Sequence, residues 1–298
     1  MRLVTFDPGD GPQAGVVTGD RIIAVRKLLG GSSADGMLEL AADPRLIAQI
    51  RAALPRAGPG VPLEDARLLA PFPRPRRNVF CVGWNYSEHF AEGMKSRGPD
   101  ALQQIPEHPA LFSKNPATVV GADAPVWHPA PVSEQLDWEA ELAVVIGRPG
   151  RDIAEANALD HVFGYTIAND VSVRDIQRVW HGGQWFKGKN FDSHLPLGPW
   201  IVTADEIADP QALRITSRIN GTTKQDSNTR GMVFDVRRII RELSVGLTLE
   251  SGDVVITGTP EGAGMGRTPP EWLKVGDVME MEIERIGVLR NTVAQRSV

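Results

Sequence analysis

Hydrophobic positions along this chain come in short runs closed by glycine, proline or asparagine, which is the pattern of strands rather than of long amphipathic helices. Beyond residue 73 the runs "NVFCVG", "ALFSK", "AELAVVIG", "VFGYTIAND", "GPWIVT", "DVVITGT" and "VMEMEIERIGVLRNTV" read as strands, and the Asn-Gly pair in "RITSRINGTTKQ" marks a hairpin. Helical periodicity is confined to "SEHFAEGMK", "IAEANALDH", "VRDIQRVW" and "VRRIIREL". Nearer the start, "GVVTGDRIIAV" reads as a hairpin and "MLELAADPRLIAQIRAAL" contains a helix. The stretch Leu68–Asn78, with three prolines and three arginines, suits a linker. The expectation is a β-rich α+β protein with a small N-terminal α+β domain over 1–72 and a larger domain over 73–298.

Composition narrows the partners. A net charge of -5 with scattered Lys and Arg leaves no footprint for nucleic acid or an anionic membrane, so small molecules or further copies of the chain are expected. No apolar run approaches membrane-spanning length, the start lacks a secretory apolar core, and the lone Cys81 rules out an internal disulfide and a cysteine zinc cage. A reducing, cytoplasmic location fits.

One strand is unusual. "LDWEAELAVVIG", residues 136–147, carries Asp137, Glu139 and Glu141 at alternate positions of an apolar run. In a strand Glu139 and Glu141 share a face with Cα atoms about 7 Å apart, opposite Trp138, Ala140, Leu142 and Val144. Two carboxylates on one small volume repel unless a cation lies between them, and hard oxygen ligands suit Mg²⁺, Mn²⁺ or Ca²⁺. Asp170, closing "VFGYTIAND", is a third acid. The same pattern also suits the solvated face of an edge strand.

Three further segments carry candidate chemistry. In "VGWNYSEHFAEG", Asn85 and Glu88 have capping-box spacing, and His89 and Glu92 fall three apart on one helix face, where the carboxylate could orient the imidazole as a base or merely decorate a surface. In "KGKNFDSHLPLGPW", Lys187 or Lys189 could aim an ammonium at a carboxylate or enolate, or lie in solvent. "DVVITGTPEGAGMG" runs from a strand into glycines, yet no Gly-Lys-Ser/Thr follows and "RTPPEW" cannot open a phosphate-binding helix. Gly258 and Thr259 instead suit close approach to a small ligand.

Taken in order, "VGWNYSEH", "ALFSKNP", "DWEAELAVVIG", "GYTIANDVSVRDIQ", "GKNFDSHLPLGPW", "ITGTPEGAGMG" and "LKVGDVMEMEIERIGVLRN" resemble the fumarylacetoacetate hydrolase family over about residues 76–295. The resemblance implies a mixed β-roll or barrel catalytic domain, a homodimer and a Mg²⁺ or Mn²⁺ enzyme, with Ca²⁺ a further option, acting on a 2-oxo or β-diketo carboxylic acid. It assigns Glu139, Glu141 and Asp170 to the metal and His89, Glu92 and Lys189 to catalysis. Arg174, Gln177 and Thr259 fall at substrate-binding or site-supporting positions, with Gly258 kept as a substrate-binding candidate from its loop, Asp137 behind the ligands or at the surface, and Lys114 at a familiar position with no role. Trp84 and His194 depart from the family pattern.

The reaction that follows is hydrolysis of a carbon–carbon bond in an acylpyruvate-like acid, with water activated by His89 and Glu92 and an enolate stabilised by the metal and Lys189. Decarboxylation of a β-keto acid such as oxaloacetate, or isomerisation or hydration of a hydroxy-diene-dioate, would use the same enolate. A metal-holding binder without chemistry is the rival from another class.

Overall fold

The computed structural model describes residues 1–9, 11–31, 36–95 and 104–296. Its backbone is one long open sheet packed against a second, five-stranded sheet. The long sheet runs in the order Val61–Pro62, Arg21–Ala24, Gln13–Thr18, Arg2–Asp7, Leu195–Thr203, Val162–Asn169, Ala140–Ile146, Val254–Ile256, Val79–Gly83, Ala110–Lys114. That path has two ends, so among the described residues it is a roll and not a closed barrel. The expected N-terminal hairpin, Gln13–Thr18 with Arg21–Ala24, is part of it, and Arg2–Asp7 pairs antiparallel with Leu195–Thr203. The N-terminal strands therefore extend the sheet that carries the acids. No helix of the described residues is long and apolar enough to cross a membrane.

The second sheet runs Thr222–Asn228, Arg214–Ile219, Val278–Ile283, Gly287–Ala294, Pro125–Trp127. Its Asn-Gly turn forms as expected, with both Asn220 and Gly221 at positive φ.

Ala140–Ile146 lies at the centre, and all seven of its residues are buried. Leu142, Val144 and Ile146 face the core between the sheets with Ile215, Met281 and Leu289. Ala143 and Val145 face the other core, with Leu3, Val16, Leu195 and Ile256. Burial on both faces explains the unbroken apolar run and excludes the solvated edge. The strand is shorter than the sequence pattern suggests: Leu136–Asp137 forms a separate pair with Ser172–Val173, and Trp138 and Glu139 lie between the two. At the break the Glu139 N–H donates to the side chain of Asn169, on another strand, 2.9 Å away.

Two helical expectations change in detail. "MLELAADPRLIAQIRAAL" forms two helices, Met37–Ala42 and Pro44–Ala53, because Asp43 is extended, accepts the Arg45 N–H and precedes Pro44 at the first helical position. Asn85 does not cap the helix Ser87–Lys95. Its fully buried amide donates to the carbonyls of Phe234 (2.9 Å) and Thr257 (2.7 Å), and its oxygen accepts the Phe234 N–H (2.7 Å). These bonds tie the start of the helix to two distant loops. Asn85→Ala would leave those backbone groups buried without partners, so urea unfolding should show a loss of about 2–4 kcal/mol.

Candidate metal centre and active site

Strand register brings the acids together. Ala140 pairs with Asn169, so Asp170, just past its strand, falls beside Glu139 and donates its N–H to the Glu139 carbonyl at 2.9 Å. Glu141 lies one pleat along. Glu139, Glu141 and Asp170 each offer a carboxylate oxygen, all within 4.8 Å of one another, and all three residues are buried.

Burying like charges together demands compensation. Lys189 Nζ donates to Glu139 and to Asp170, both at 2.6 Å. Lys114 Nζ, fully buried, donates to the other Asp170 oxygen at 2.7 Å and to the Val171 carbonyl at 3.1 Å. Arg174 donates to Glu139 (2.6 Å), Asp137 (2.7 Å) and the Gln177 side-chain oxygen (3.0 Å). Asp137 is buried and also accepts the Gly264 and Met265 N–H groups, which places it behind Arg174 and not at the surface.

These contacts set the protonation states. Burial works against the Lys189 charge, but Asp170 and Glu139 outweigh it and raise its pKa, so it stays an ammonium. Burial pushes Lys114 down. For Glu139, burial is overcome by Arg174, Lys189 and His89, which hold it below the usual carboxylate range. Glu141 goes the other way: burial, then Asp170 and Glu139, push it well up. It is met by a neutral donor, the Gly258 N–H at 2.6 Å. A buried trio of oxygen donors with one carboxylate left uncompensated fits a hard divalent cation.

The glycine-rich loop serves these acids. Gly258 donates to Glu141, Gly262 to Glu92 at 2.9 Å, and Gly264 to Asp137 at 2.7 Å. A Cβ on Gly266 would stand 2.5 Å from the Glu92 carboxyl carbon, so that glycine makes room for it. Thr259 donates to the Ala140 carbonyl and accepts from Gln225, fixing the strand beside the ligands while lining the cavity.

His89 reaches the same cavity from its helix. Nδ1 lies 3.4 Å from Glu92 Oε2, and Nε2 lies 3.7 Å from Glu139 Oε1. The cavity, about 620 Å³, is lined by the acids, Lys189 and His89, by the rings of Trp84, Phe112 and Trp185, and by Arg174, Gln177 and Arg178. All the expected site residues thus converge except that Gly258 acts through Glu141 and the three Arg174 bonds go to the protein itself. Lys187 points elsewhere, its Nζ 4.3 Å from the Phe191 ring centroid. The supporting roles of Lys114, Asn169, Gln225, Gly262 and Gly264 carry no local sequence signal, because each depends on a partner far along the chain.

His194, the other departure from the family pattern, is not among the residues that line the cavity. It is fully buried, its Nε2 donates to the Trp127 carbonyl at 2.9 Å, and its ring stacks on Phe191. Burial pushes its pKa down to about 3.

Among known proteins, the chain matches the sequence profile "Fumarylacetoacetate (FAA) hydrolase C-terminal" over residues 78–294 and "Rv2993c-like, N-terminal" over residues 1–71. It is 43% identical to oxaloacetate tautomerase YisK of Bacillus subtilis (strain 168), over 78% of this chain and 74% of that protein. It is 41% identical to the human mitochondrial oxaloacetate tautomerase FAHD2A, over 98% of this chain and 91% of that protein. Among solved structures, maleylpyruvate hydrolase from Sphingobium sp. SYK-6, in complex with manganese(II) and pyruvate, has a TM-score of 0.81 at 31% identity over the whole of both chains.

Two outcomes follow. In metal-free protein, Glu141→Gln should raise the thermal midpoint by removing a buried acid whose ionisation the folded state opposes. With Mn²⁺ at a hundredfold excess over Kd the order should reverse, because wild type gains about 2.7 kcal/mol and the variant binds the ion more weakly. For His194 the folded pKa lies below the unfolded one, so the unfolded chain takes up a proton that the folded protein refuses. Its contribution to stability is lost as pH falls from about 6.5 toward 3, and urea unfolding of His194→Phe should depend less on pH across that window.

Proposed function

Because the chain belongs to the fumarylacetoacetate hydrolase family, we propose that it is a divalent-metal-dependent enzyme that interconverts the keto and enol forms of a 2-oxo acid, with oxaloacetate as a substrate. The observation that carries the reading is the position of His89, whose imidazole is held between Glu92 and the carboxylate cluster at the cavity wall. Kinship with two oxaloacetate tautomerases supports it.

Enolisation moves a proton from C3 to the oxygen on C2. The Glu92 carboxylate can only accept, so it favours the imidazole tautomer with hydrogen on Nδ1 and leaves the Nε2 lone pair toward the cavity. That nitrogen takes the C3 proton and returns it on the reverse path. Lys189, kept protonated by Asp170 and Glu139, is a hydrogen-bond donor and not a base, and it supplies positive charge where the enolate oxygen develops. A divalent cation bound by Glu139, Glu141 and Asp170 would add Lewis-acid polarisation of the 2-oxo acid oxygens.

Hydrolysis of an acylpyruvate is the second reading, favoured by the maleylpyruvate hydrolase that shares the fold across the whole chain. The same base would then activate water. Exchange of the C3 hydrogens of oxaloacetate with solvent deuterium, followed by NMR in the presence of Mg²⁺, separates the readings from a panel in which acylpyruvates are assayed for pyruvate release. Enzyme-accelerated exchange without cleavage is expected; pyruvate and a free acid from the acylpyruvates, without such exchange, would select hydrolysis. His89→Ala should slow exchange by about 10²-fold or more while Mn²⁺ affinity is kept, and Glu92→Gln should show a smaller loss.

A further inference from the structure

Two groups of side chains share the cavity wall: the acids with Lys189 and His89, and the rings of Trp84, Trp185 and Phe112. Trp84 and Trp185 meet edge-on with ring centroids 4.7 Å apart, and Phe112 meets Trp185 at 5.3 Å. Trp185 lies so close to Gly83 that a Cβ there would stand 2.3 Å from its ring. Trp84 itself holds a backbone φ of 57°, a conformation uncommon for a bulky residue. The neighbouring Asn85, locked by its bonds to Phe234 and Thr257, leaves the chain little freedom to relax. A large ring is thus held against the cavity at some conformational cost.

The two groups touch. Lys189 Nζ lies 5.2 Å from the Phe112 ring centroid, and Trp84 and Phe90 pack edge-on at the start of the helix that carries His89. The rings therefore lie within reach of a group on the carbon that His89 would deprotonate. A short dicarboxylate leaves much of a cavity of about 620 Å³ unfilled.

Building on the keto–enol reading above, we propose that Trp84, Trp185 and Phe112 form an aryl subsite that accepts a planar apolar substituent on C3 of the 2-oxo acid, so that 3-aryl-2-oxo acids are substrates as well as oxaloacetate. The step balances without a co-reactant: the C3 proton passes to His89, the C3–H electron pair becomes the C2–C3 double bond, and the C2 oxygen takes a proton to give the enol. Trp84 is the specificity-determining residue, since its ring bridges Trp185 and Phe90.

The test is calorimetric binding of phenylpyruvate and of pyruvate to the Mn²⁺-loaded full-length protein, with deuterium exchange at C3 of phenylpyruvate and oxaloacetate measured in parallel. Phenylpyruvate should bind at least tenfold tighter than pyruvate, a difference of about 1.4 kcal/mol. Trp84→Leu should remove most of that ratio and Trp84→Phe should keep most of it, with circular dichroism confirming that both variants are folded. Trp185→Leu provides a second, independent loss. Equal affinity for the two acids in wild type, or a ratio unchanged in both leucine variants, would overturn the subsite. A large binding ratio with no exchange on either acid would uphold the subsite and defeat the keto–enol reading, so the two fail separately.

Discussion

Three carboxylates buried within 4.8 Å of one another are the condition on which this structure depends. Left alone they would repel and take up protons. Each device around them lowers that cost: Lys114 and Lys189 bracket Asp170, Arg174 links Glu139 to Asp137, and Glu141 takes a backbone amide. The compensation is incomplete at Glu141, and the remainder is what gives a divalent cation its place. Stability and ion binding are therefore two readings of one charge balance.

The glycine-rich loop shows the same economy. Loops of this composition often present their amides to a phosphate. Here the amides of Gly258, Gly262 and Gly264 are turned on the protein's own acids, one in the cation cluster, one beside His89 and one behind Arg174. A single segment thereby sets the positions of three acids: Glu141, Glu92 and Asp137.

Much of this was legible in the sequence, for identifiable reasons. Alternation marked Glu139 and Glu141 as neighbours, and ordered motifs tied Asp170, His89, Glu92 and Lys189 to one family. What escaped was long-range. Asn85 has the spacing of a helix cap, but its side-chain partners lie 149 and 172 residues further on. Whether the acidic strand was central or at an edge depended on Leu3 and Val16, which come from the N-terminal part of the chain and cover one of its faces. At the break, the bond from the Glu139 N–H goes to Asn169, on a different strand. Local pattern specified the chemistry; the register of distant strands specified its burial.

The presence of a charged cluster and an aromatic cluster in one cavity has an evolutionary consequence. Every charged contact around the acids is interlocked, so a change to one of those residues disturbs several others. Trp84 and Trp185 pack edge-on against each other, Trp84 also against Phe90 and Trp185 also against Phe112. A change of ring size at Trp84 or Trp185 would alter the shape of the cavity while leaving the carboxylate trio and its bonds to Lys114 and Arg174 in place, so a duplicated copy could diverge in diet without first losing its charge balance.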